Sequence, residues 1–175
     1  MKDHILEGFL LRQREEGLAL SQASDLLDLV PVAGSLQHYV ARFGCRGLVQ
    51  DAAGDIVEAS SFALGIFFPE TYLRAADPFT VLTMLEPLRA WHPNISPRAP
   101  FICVGDIAAA TPIVELLYRC FEVITYQRVT MLEKNALNRP ACAWARRNLH
   151  RFPVDRRGLK RQAVDFAIED VEVPR

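Results

Sequence analysis

Cysteine is the residue type in this chain best suited to covalent chemistry, and one of the four cysteines stands apart. Cys103 closes the stretch HPNISPRAPFIC, residues 92–103, in which a His-Pro-Asn turn and two further prolines precede the thiol. A thiolate is a strong nucleophile, so a cysteine held on a rigid turn is a candidate for nucleophilic chemistry. With an unperturbed pKa of about 8.5, only a few per cent of such a thiol is ionised at neutral pH. Packing is the competing explanation, because free cysteine is among the most buried residue types. The sequence contains no CxxC pair and no His at zinc-ligand spacing from Cys45, Cys103, Cys120 or Cys142. Neither a metal site nor a disulfide framework is therefore expected, and in a reducing compartment all four are free thiols. A hydrolase built on Cys103 would need a base; apart from His92 in the turn, His38 and His150 are the interior candidates, and neither lies in a motif.

The elements that must hold Cys103 can be read from periodicity. Ile5, Leu6, Phe9, Leu10, Leu18 and Leu20 follow helical spacing over about residues 3–24, although Gly8 and Gly17 weaken that helix. Short strands are expected at LLDLVPV, at QHYVARFG and at Phe62–Phe68, separated by turns such as DAAGD; together they form an antiparallel meander with a buried face. Proline then interrupts the pattern at Pro69, Pro78, Pro87, Pro93, Pro97 and Pro100, with VLTML as a last edge strand. In TPIVELLYRCFEVITYQ, Thr111 suits the N-cap and Pro112 the first helical position. Ile113, Leu116, Leu117, Cys120, Val123 and Ile124 make its apolar stripe, which assigns Cys120 to the core. A further helix is expected with Asn138 as its cap, burying Cys142, Trp144 or Ala145, and Leu149, and a third from Arg156 to about Ile168. Strands followed by helices argue for an α+β fold.

Composition narrows the partners. The 175 residues carry a formal charge of −1 and are half hydrophobic, which fits one globular domain and provides no field to draw the chain onto nucleic acid or an anionic membrane. A basic run from Arg146 to Arg161 precedes an acidic one from Asp165 to Glu172, read first as a solvated, self-compensating face and, as the alternative, as a docking surface for an acidic partner. No apolar segment is long enough to cross a membrane and the first residues, MKDHILEG, lack the pattern of a secretion signal, so a cytoplasmic protein is expected. Arginines outnumber lysines seventeen to three.

Five segments in order resemble the ubiquitin-conjugating enzymes: FPETY at 68–72, HPNI at 92–95, FIC at 101–103, and the helices TPIVELLYRCFEVI and EKNALNRPACAWARRN beyond. The likeness runs from about Leu26 to Asn148. It departs from the family pattern in lacking a proline after Tyr72, in a longer path to His92, in one extra residue between Asn94 and Cys103, and in having no Trp after the cysteine. The resemblance implies a single domain over 1–175: a helix at about 3–24, a core at about 26–150 with a four-stranded meander, and a C-terminal helical extension at about 151–175. It implies a conjugating transferase that carries a ubiquitin-like modifier as a thioester on Cys103 and yields it to an amine, with no cofactor and no metal. Asn94 is then the polar support, either bracing the loop or stabilising an oxyanion; Pro93 holds the loop, and His92 is a structural hydrogen-bonding residue. Asn135 matches a family position near the incoming lysine; Tyr126 and Asp106 could also line the site, with turn or surface residue the favoured reading for both. The expected partners are the modifier, an activating enzyme docked on the first helix, and a target protein, in a divergent bacterial conjugation pathway of the antiphage kind. A variant of the same fold that only binds or scaffolds a modifier is the alternative. Few lysines would limit self-modification by an amine-reactive thioester.

Overall fold

The structure, a computed structural model, describes residues 3–161. Asp3 starts the first helix: its carboxylate accepts from the Ile5 and Leu6 N–H groups at 3.0 and 3.1 Å, and α1 runs His4–Gln22. Its inward stripe is Leu6, Phe9, Leu10, Gln13, Gly17 and Leu20. The two glycines do not break it. Gly17 lies where α1 passes closest to its neighbours; a Cβ there would come within 2.6 Å of Leu29 and 3.2 Å of Ile113. The residue that weakens the helix in isolation is thus the one that lets it pack.

Six strands follow: β1 (Leu27–Pro31), β2 (His38–Phe43), β3 (Gly47–Gln50), β4 (Ile56–Ala59), β5 (Phe62–Phe67) and β6 (Leu82–Glu86). The main sheet is antiparallel in the order β1-β2-β5-β6. Its register places Leu29, Ala41, Leu64 and Met84 opposite one another across all four strands. All four are buried, so one row of side chains ties the sheet to the core beneath α1. The expected strands are present, but DAAGD does not connect two strands of this meander. It closes a separate hairpin, β3–β4, in which the Asp51 carboxylate accepts from the Asp55 N–H at 2.8 Å and Gly54 takes φ +93°.

After the single turn α2 (Pro78–Val81), the chain reaches α3 (Ile113–Ile124) and α4 (Arg139–Arg147). The start of α3 differs from expectation. Pro112 is the capping position, and the Thr111 hydroxyl turns back to the Ala108 carbonyl at 2.8 Å. The missing cap comes from α1: the Gln13 side-chain oxygen accepts from the Ile113 N–H at 2.7 Å. A long-range partner has displaced the local one, which local sequence signals do not reveal. Asn138 caps α4 as expected, through the Ala141 N–H at 3.0 Å. Cys142 and Ala145 are buried, whereas Leu149 is 59% exposed instead of buried.

The expected third helix does not begin within the described residues: 156–161 are irregular, and 162–168 lie outside them. The acidic run from Asp165 to Glu172 also lies outside them. Residues 152–161 cross back along the molecule as a strap. Asp155, buried, accepts from Arg157 at 2.6 and 2.9 Å and from the Arg46 N–H at 3.3 Å, and the Arg161 N–H reaches the Ala23 carbonyl at 2.8 Å. Among the described residues no helix is long and apolar enough to cross a membrane.

Candidate active site

The segment from His92 to Cys103 is a hairpin suspended between two sheets. Its incoming end is sewn to β3: the Trp91 N–H donates to the Leu48 carbonyl at 2.7 Å, and the Gln50 N–H to the Arg89 carbonyl at 3.0 Å. Its outgoing end is sewn to β6 by the Met84 N–H, which donates to the Pro100 carbonyl at 2.8 Å, and by the pairing of Thr83 with Phe101. Within the hairpin, the Cys103 N–H donates to the Asn94 carbonyl at 2.8 Å and the Ser96 N–H to the Phe101 carbonyl at 2.9 Å, with Ile95 opposite Ile102. The prolines that prevent a continuous ladder therefore leave short anchored pieces that fix the backbone of Cys103.

Asn94 is the centre of this bracing. It is 5% exposed; its Nδ2 donates to the Cys103 carbonyl at 3.0 Å, and its Oδ1 accepts from the Thr130 N–H at 2.9 Å. One amide thus couples the thiol-bearing residue to the loop after α3. It leaves a single Nδ2 hydrogen uncommitted, since the side chain carries two.

His92 is buried, and its Nδ1 accepts from the Asn94 N–H at 3.0 Å. That bond places the ring proton on Nε2. Burial lowers the His92 pKa to about 3, so the ring is neutral at physiological pH. Tyr126 meets it edge to face with ring centroids 4.3 Å apart and donates its hydroxyl to the Trp91 carbonyl. Tyr126 is therefore a buried wall, not a surface residue; burial raises its phenol pKa. The Pro93 carbonyl accepts from the Asn138 N–H at 3.1 Å, which ties the turn to the start of α4.

The four thiols are unlike one another. Cys45 and Cys120 are completely buried, and burial pushes both pKa values up to about 12; Cys142 is buried also, with its pKa raised. Cys103 alone is partly exposed. Beyond it the chain turns at Gly105, with φ +84°, beneath Arg128, whose guanidinium donates to the Val104 carbonyl at 3.2 Å and pairs with Glu122 at 2.9 Å.

The structure therefore gathers His92, Pro93, Asn94 and Cys103 into one braced unit. Asn135 sits apart from that hydrogen-bond network, exposed on the short turn Glu133–Asn135. Asp106 is exposed, and its carbonyl accepts from Arg119. Thr130 and Arg128 went unrecognised in the sequence: one contributes a backbone N–H and the other binds a carbonyl, so neither residue type marks the role. Among the described residues no cluster of His, Cys, Asp and Glu could hold a metal ion.

No family model matches the chain, and no curated protein does. Among solved structures it is similar to the E2 domain of a ubiquitin conjugating enzyme from Toxoplasma gondii, at 17% identity and a TM-score of 0.49, over 81% of this chain and 90% of that one.

Proposed function

We propose that the protein is a conjugating transferase that carries a ubiquitin-like modifier on Cys103 and passes it to an amine of a target. The supporting observation is that Cys103 is the single cysteine not buried, on a hairpin fixed by both the backbone and the side chain of Asn94. In loading, the Cys103 thiolate attacks the carbonyl of the modifier's thioester on an activating enzyme, whose own thiolate leaves. In transfer, the amine forms the C–N bond and the C–S bond breaks. His92, buried and neutral, serves as scaffold; neither step requires a base at that position, because the acyl group arrives activated. Asn94 acts chiefly as a positioning residue, with its remaining Nδ2 hydrogen available to an oxyanion. Asn135 stands as a lesser contributor on the exposed turn before α4. The exposed Ile5 and Leu11 on α1 suit docking of the activating enzyme, and the sequence resemblance alone extends the proposal to a bacterial, cytoplasmic antiphage conjugation pathway.

Incubation with activating enzyme, modifier and ATP tests this reading on a non-reducing gel. The expected adduct is cleaved by thiol reagent, and Cys103→Ser converts it to a reductant-resistant ester or abolishes it. Binding of modifier with no covalent adduct would instead favour the scaffolding variant of the same fold.

A further inference from the structure

A cavity of about 360 Å³ lies between the turn at residues 96–98 and the start of α4 at residues 136–140. Each wall contributes one arginine, Arg98 and Arg139, both exposed and neither paired with a carboxylate among the described residues. No acidic side chain lines it. Asn138, also in the wall, is 2% exposed; its Oδ1 caps α4, and its Nδ2 has no hydrogen-bond partner. The start of α4 adds partial positive charge on the same side. The turn carrying Arg98 is itself held, since the Ser96 hydroxyl accepts from the Arg98 and Ala99 N–H groups at 3.3 Å each. Charge and hydrogen-bonding capacity on both walls therefore suit a carboxylate.

Its location gives that preference a use. Asn94 pairs with Cys103 and Ser96 with Phe101, so the cavity begins two residues along the hairpin from the thiol-bearing pair, about 7 Å of extended chain. An acidic residue one to three positions from a lysine, at about 3.3 Å per residue, spans that distance.

We propose that this cavity selects the acceptor: it takes an Asp or Glu side chain of the target segment whose lysine attacks the Cys103 thioester. The inference rests on the thioester reading of Cys103. In the step itself the unprotonated lysine amine adds to the thioester carbonyl, the C–N bond forms and the C–S bond breaks. Cys103 leaves as thiolate, and the surplus amine proton passes to it or to water. The arginines do not take part in bond making; they raise the occupancy of acidic acceptor segments.

Three lysine peptides that differ only in flanking residues, acidic, neutral or basic, provide the probe. Their binding to the unmodified protein is measured by fluorescence anisotropy. Their discharge of Cys103 is measured after loading by exchange with a Gly-Gly-terminated peptide thioester. The acidic peptide is expected to bind and discharge about fivefold or more better than the neutral one, the scale of two exposed ion pairs. Arg98→Glu with Arg139→Glu abolishes or inverts this order, and Arg98→Lys with Arg139→Lys keeps it. A loaded protein indifferent to peptide charge would leave the thioester reading intact and overturn the inference. Charge-dependent binding by a protein that cannot be loaded would contradict the thioester reading, and with it the acceptor role of the cavity.

Discussion

His92 illustrates how a hydrogen bond can exclude a side chain from proton chemistry. Its Nδ1 is occupied by the Asn94 N–H and its ring is enclosed, so charging it means breaking that bond in a dry site. The folded pKa of about 3 lies below the ordinary value of 6.5. The unfolded chain therefore binds the extra proton first as pH falls. The associated stability is complete above about pH 6.5 and drains away down to about pH 3. Urea unfolding between pH 6 and 4 should show stability falling by about 1.4 kcal/mol per pH unit more steeply in the wild type than in His92→Gln. Equal slopes would place the ring in solvent. Asn94 permits a parallel expectation. Asn94→Ala removes two bonds and strands the Thr130 N–H, at a cost of roughly 2 kcal/mol in the same measurement.

Among the elements, α1 shows most clearly what periodicity can and cannot reveal. Its two glycines look alike in the sequence but differ in space: a Cβ at Gly8 meets nothing within 4 Å, whereas one at Gly17 would strike Leu29 at 2.6 Å. Gly8→Ala should therefore stabilise the protein by about 0.5–1 kcal/mol through helix propensity. Gly17→Ala should destabilise it by about 1–3 kcal/mol through overpacking, with both changes read from thermal or urea unfolding. The strands of the main sheet were legible because buried and outward residues alternate along them, as in β5. The hairpin β3–β4 was not, because its four-residue strands show no such alternation and Val57 points outward at 40% exposure. The cap of α3 was hidden for a different reason, since its donor and acceptor lie a hundred residues apart.

On the scale of the whole molecule, hydrogen bonds from several separate elements converge on one hairpin. The main sheet, α4 and the loop at Thr130 bind the His92–Cys103 segment through backbone groups and β3 binds the residues just before it, which is why its residue types are legible in the sequence but its supports are not. The HPNI and FIC stretches could be found because proline, asparagine and cysteine have distinctive chemistry; Gln13, Thr130 and Arg128 act from places that only the folded chain brings near. The strap at 152–161 closes the molecule in the same manner, with Asp155 held to a pKa of about 2 chiefly by its hydrogen bond from Arg157. The central claim, that this framework exists to present one thiol to an acyl group, is tested most directly by locating the bond. After incubation with activating enzyme, modifier and ATP, digestion in mild acid and mass spectrometry should find the modifier's C-terminal remnant on the peptide containing Cys103, and hydroxylamine should release it. A remnant on Cys45, Cys120 or Cys142, or a fully charged activating enzyme that leaves Cys103 unmodified, would contradict the account.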